Sequence, residues 1–172
     1  MASDTVSPPM TRTAAIATDL VVGVVAGLAA SFAMNQFQSL WAKAVPMSEG
    51  PTAAEEAADA VSEEVSGAPM RASQKGTADS VVHYATGALI GAVYGLAAGV
   101  LPAITFGGGV FFSAAVWLLG DELAVPTLRL GPPPQDTEAR RHVLGIASHI
   151  VFGLALDQVR RRVNALISPL RP

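Results

Sequence analysis

The chain has 172 residues, of which 51% are apolar and 15% charged, with a mean hydropathy of +0.42. A soluble domain carries about 25% charged residues, so this balance points to one domain integral to a membrane. A formal net charge of −3 gives no electrostatic footprint for nucleic acid, and a chain without cysteine has no disulfides, thiolate metal sites or thiol nucleophiles.

Residues 1–12 are polar and proline-bearing and read as a disordered tail. The first crossing is expected over 14–42. Leu20 to Ala42 is a run of 23 residues without a charge, which at 1.5 Å per residue exceeds the roughly 30 Å hydrocarbon core. Trp41 and Lys43 close it as an aromatic and a basic interfacial anchor. Ser31 and Ala33 also fit the small-x-small pattern of a signal-peptide cleavage site, but the acidic Asp4 and Asp19 suit its basic front region poorly.

An extramembrane loop over 44–77 follows. Its stretch "PTAAEEAADAVSEEVSGAP" predicts a short acidic helix that Pro51 opens and Gly67 with Pro69 stops. Glu55 and Glu56 suit the positive N-terminal end of that helix. Its apolar face, Ala53, Ala57, Val61 and Val65, is too thin and its charge too negative for a membrane-surface helix. It is expected to pack on the end of the bundle or on a partner.

Ser80 to Gly120 is an uncharged run of 41 residues, right for two crossings and too long for one. Pro102 lacks a backbone donor, and "FGGG" at 106–109 tolerates turn dihedrals. The second and third crossings are therefore expected at 78–101 and 103–125, joined by a tight turn. The connection "TLRLGPPPQDTEARR" holds a stiff extended proline run. The last crossing, 139–163, has only Val143 to Leu156 free of full charge, so its flanking arginines must snorkel. Residues 164–172 form a C-terminal tail.

The expected fold class is thus all-α: a polytopic membrane bundle of four transmembrane helices plus one short acidic extramembrane helix. With four crossings, both termini share a side with Arg12, Arg160, Arg161, Arg162 and Arg171. Lys43, Arg71, Lys75, Arg129, Arg140 and Arg141 lie opposite. The positive-inside rule is nearly balanced, and the dense Arg160–Arg162 cluster at a helix end favours cytoplasmic termini.

Two patterns carry the functional argument. Gly87, Gly91, Gly95 and Gly99 recur every fourth residue and form a small-residue ridge for close helix packing, within the bundle or between protomers. The polar set is His83, Asp121, Glu122, His142, His149 and Asn35, which the four-crossing topology gathers in one membrane half. His142, Gly145, His149, Gly153 and Asp157 fall on one stripe of the last helix. Ionisable groups in a bilayer are costly and face the bundle in pairs. Imidazole with carboxylate suits a divalent metal or a proton relay, although no HExxH-type motif is present. The adjacent Asp121 and Glu122 point about 100° apart on a helix, so one is expected inward and one as a cap. Asp157, with Arg160 and Arg161 in helical reach, reads as a surface ion pair.

The combination of His83, Gly87, Gly91, Tyr94, Gly95 and Pro102, then "W...DE...P..RLGPPP" from Trp117, then the late histidines with "VFG" and "RRR", resembles the YagU-like family. The resemblance covers roughly the last 90 residues and, more loosely, "AGLAASFAMNQFQSLW". It implies a multi-helix bundle in a bacterial inner membrane and brings no catalytic residues. The leading expectation is a non-enzymatic membrane scaffold or accessory subunit without cofactor, a homo-oligomer or a partner of other membrane subunits in the lipid bilayer. One alternative is a metal or haem site built from His83, His149 and Glu122, with the His149–Glu122 contact decisive. The other is a proton or small-solute carrier using the same cluster.

Overall fold

The computed structural model describes residues 11–45 and 52–168, and among these every regular element is helical. Nearly all of the expected N-terminal tail, the loop residues 46–51 and the last four residues lie outside the described part. Five segments organise the chain: α1 (Arg12–Ala44), α2 (Ala53–Ser66), α3 (Ala72–Val100), α4 (Pro102–Thr127) and α5 (Ala139–Ile167). All but α2 are long and apolar enough to cross a membrane. The architecture is that of a multi-pass membrane protein.

The distribution of apolar surface supports this. The buried core is small and centres on Ala26, Ala30, Met34, Tyr94, Phe152 and Leu156. Large apolar side chains such as Val21, Phe32, Leu89, Phe111 and Leu118 are exposed on the outer faces of the bundle. A soluble monomer rarely leaves so much contiguous apolar surface in water; lipid is its natural solvent.

Thr11 caps α1 by accepting a hydrogen bond from Ala14 N, so the helix starts inside what the sequence reads as a tail. At the other end α5 runs to Ile167 rather than stopping at Val163. Residues 164–167 are all helix-compatible, and Pro169 is the first residue that cannot continue the pattern.

α4 differs most from expectation. After Leu101 the chain makes a 3-10 turn, then Phe106 is extended and Gly107, Gly108 and Gly109 all take left-handed φ of 66–83°. Three consecutive left-handed residues require glycine, so regular α-helix begins only at Val110. It widens to a π-turn at Gly120–Ala124 and ends in a short α-turn, Val125–Thr127.

The glycine ridge of α3 lies against α1. A Cβ on Gly91 would sit 2.7 Å from Gly27 Cα, and one on Gly95 2.9 Å from Gly23 Cα. Gly87 meets Ser31, and Gly99 meets the Asp19 side chain. The ridge is therefore occupied within the chain, which removes the glycine argument for protomer contacts. A second seam joins α4 to α5, where Gly109 and Gly153 bring their backbones together beside Ser113. α1 also packs along α5, whereas α3 meets α4 chiefly at the turn Pro102–Gly109.

α2 docks on the outer end of α3. Its N-terminus is a capping box: Thr52 Oγ1 accepts from Glu55 N at 3.0 Å and Glu55 Oε2 accepts from Thr52 N at 3.1 Å. Gly67, left-handed at φ 74°, ends it. Val61 and Val65 are exposed, and the buried residue is Ala58, so the expected apolar face is not the packed one. Polar contacts hold the helix instead. Asp59 accepts from Met70 N at 3.0 Å and from Lys75 Nζ at 2.5 Å, and the Thr52 hydroxyl donates to Asp79. The Lys75 ammonium holds the Asp59 carboxyl below its usual range.

Candidate functional site: a polar cleft in one half of the bundle

Because α3 and α4 meet near one end only, they diverge toward the other and leave a cleft of about 430 Å³ between them. α1 and α5 form its back wall. A volume of this size lies in the range of small-molecule sites, about 300–1,000 Å³. Apolar side chains such as Met34, Val82, Ile90, Val116 and Phe152 make up much of the lining. His83, Asp121 and His149 bring polar chemistry into it, and Asp79 stands toward α2.

Each polar group is placed by its helix. His149 is buried on α5 and its Nδ1–H donates to the Gly145 carbonyl, one turn back, at 3.0 Å. Asp121 Oδ2 approaches the same nitrogen to 3.9 Å, beyond a direct hydrogen bond. His83 Nε2–H donates to the Ser31 carbonyl across the α1–α3 seam at 3.4 Å. Ser31 also lines the cleft; its Oγ is buried against Gly87 in the α1–α3 seam, with no hydrogen-bond partner among the described residues.

Glu122 does not join this group. It accepts from His142 Nδ1–H at 2.7 Å, while His142 Nε2–H donates to the Pro134 carbonyl at 3.0 Å. Both ring nitrogens face acceptors, an arrangement satisfied by the doubly protonated ring. This pair ties the proline-rich connection to the start of α5. The expected His149–Glu122 contact is replaced by two separate partnerships, His149 with Asp121 and His142 with Glu122. The reason is geometric. His142 and His149 are two turns apart, about 10 Å, and adjacent carboxylates diverge around the helix. Neither acid is a simple cap.

Of the six polar residues singled out in the sequence, His83, Asp121 and His149 share the cleft. Glu122 and His142 form the neighbouring pair, and Asn35 is half-buried outside the cleft lining. Ser31, Met34 and Gln38 present the lining face of α1 instead. Among the described residues no group of three or more His, Asp or Glu side chains converges as a metal site requires. A metal held by His83, His149 and Glu122 therefore does not fit this geometry.

Two features were missed. Asp79 lies one turn before His83 on the same face of α3, a spacing that was legible in the sequence. The other is at the opposite end of the bundle. Asp157, read as a surface acid, is 2% exposed. It accepts from Tyr94 Oη at 3.0 Å, Arg160 Nη2 at 2.9 Å and Arg161 Nε at 2.6 Å. The Arg160 guanidinium also lies over the Tyr94 ring, 5.7 Å from its centre. Helical spacing showed the arginines; only the packing of α3 and α5 on α1, which brings Tyr94 to Asp157, shows the tyrosine.

A family model described as a protein of unknown function, DUF1440, matches residues 61–158. That span holds His83, Asp121 and His149 and most of the cleft wall. No curated protein and no solved structure matches the chain.

Proposed function

The chain belongs to the DUF1440 family, whose description assigns no activity, and we propose from its cleft that it is a non-enzymatic small-solute carrier or binding protein. The observation that carries this reading is a solute-sized cavity with His83, Asp121 and His149 in one half of a four-crossing bundle. Ionisable side chains at membrane depth mark solute or proton pathways when they face a cavity. The scaffold reading loses its main support because α1 already covers the glycine ridge.

The resemblance to YagU-like proteins supports a bacterial inner-membrane location. With cytoplasmic termini, the cleft lies in the outer half of that membrane and α2 lies outside it. Thermal stability in lipid nanodiscs, measured across a panel of small solutes, tests the reading. Val116→Trp fills the cleft without touching the charged groups. Solutes that stabilise the wild type and not this variant support the proposal. A panel to which both proteins respond alike removes it and returns the scaffold reading to first place.

A further inference from the structure

The hydrogen-bonding state of the cleft narrows the solute further. A backbone carbonyl can only accept, so the ring nitrogen facing it must carry the proton. His149 uses Nδ1–H on Gly145, which leaves Nε2 of the neutral ring as a bare acceptor. His83 uses Nε2–H on Ser31, which leaves Nδ1 as a bare acceptor. Asp121 has no direct hydrogen-bond donor among the described residues, its nearest ion partner being His149 Nδ1 at 3.9 Å. Asp79 has one oxygen taken by the Thr52 hydroxyl and, among the described residues, no hydrogen-bond donor on the other. Among the described residues, no lysine or arginine lines the cleft.

The lining thus carries two carboxylates and two histidine acceptors, with neutral donors at Gln38 and Thr86 and, among the described residues, no fixed positive charge. Anionic groups such as phosphate or carboxylate are repelled. A hydroxyl supplies one donor and no charge. A quaternary ammonium has charge but no N–H, and among the described residues Phe152 is the one Phe, Tyr or Trp side chain on the lining, short of the aromatic cage that such ions need. A bare metal ion needs ligands converging on one point, which the described residues do not provide. A primary ammonium brings three donors and one positive charge. Its apolar substituent finds Val82, Ile90, Val116 and Val125.

Resting on the small-solute reading above, we infer that the cleft binds a protonated primary amine carrying an apolar chain. Asp121 supplies the countercharge to the ammonium, and the free nitrogens of His83 and His149 accept from it directly or through water.

Equilibrium binding of labelled octylamine to the full chain in phosphatidylcholine nanodiscs tests this, with octanol, octanoate and octyltrimethylammonium as matched competitors. Octylamine is expected to bind at least tenfold tighter than each competitor. Asp121→Asn and His83→Gln are each expected to weaken it about tenfold, the scale of one lost charge-assisted hydrogen bond. Glu122→Gln, which alters the neighbouring pair and not the lining, leaves binding unchanged. Circular dichroism confirms that each variant is folded, and Asp121 is exposed enough to tolerate the change.

Discs containing phosphatidylethanolamine separate a free amine from a lipid amine headgroup. Lower octylamine binding there makes the headgroup the occupant, and unchanged binding makes it a free amine. If octanol or octanoate binds as tightly as octylamine and Val116→Trp abolishes it, the ammonium assignment is overturned while the cleft remains a solute site. If Val116→Trp binds every probe as the wild type does, the amine assignment fails, and the wider solute panel decides the cleft reading separately.

Discussion

Replacing Gly91 with alanine probes the close contact between α1 and α3. The added methyl carbon would lie 2.7 Å from Gly27 Cα and 2.8 Å from Gly27 N. Ordinary carbon contacts are about 3.5–4.0 Å, so α1 and α3 must separate by about 1 Å. A gap of that size forfeits a quarter to a half of each dispersion well along the seam. Overpacking of this kind costs about 1–3 kcal/mol, which outweighs the helix-propensity gain of about 1 kcal/mol for Gly→Ala. Gly76 on the same helix is the control, because a Cβ there meets nothing within 4 Å. Gly76→Ala is expected to stabilise by about 0.5–1 kcal/mol. Unfolding in mixed micelles of mild detergent and dodecyl sulfate, followed by circular dichroism, measures both. The reasoning is refuted if Gly91→Ala is as stable as Gly76→Ala.

Three further outcomes are expected. Asp157→Ala leaves the largely buried Arg160 without its carboxylate and should destabilise by about 3 kcal/mol, whereas Tyr94→Phe removes one donor and should cost about 1.5 kcal/mol; the same titration reads both, and a reversed order contradicts the network. The Asp59–Lys75 contact makes α2 docking sensitive to acid. Since the folded Asp59 carboxyl titrates below its usual range, its contribution is full above about pH 4 and fades as pH falls through the folded value. Amide exchange of α2 should therefore quicken in acid, and Asp59→Asn should remove that dependence. Finally, the cysteine-free chain suits single-cysteine labelling. Ser66→Cys on α2 should react with an impermeant maleimide outside intact cells, and labelling only after lysis would invert the proposed orientation.

The all-α class and four crossings follow from the sequence alone, because a bilayer demands long uncharged runs and internal backbone hydrogen bonding. The ends of α2 were partly legible: Glu55 and Gly67 were read from the sequence, but the start was read at Pro51 and the capping box of Thr52 with Glu55 was not. The start of regular helix at Val110 was not, because Pro102 and the glycines permit several turns and packing of Gly109 on Gly153 selects one. The half-membrane gathering of His83, Asp121 and His149 was also readable, as a consequence of topology. Which acid meets which histidine was not, because it depends on how α4 rotates against α5. The same holds for the glycine ridge: its spacing announced close packing, but only the assembled bundle shows α1 as its partner. Periodicity within one helix specifies a face; the rotation and separation of two helices specify what that face touches. Asp157 shows the difference most plainly, since an acid that looks solvated beside two arginines becomes buried once Tyr94 closes over it.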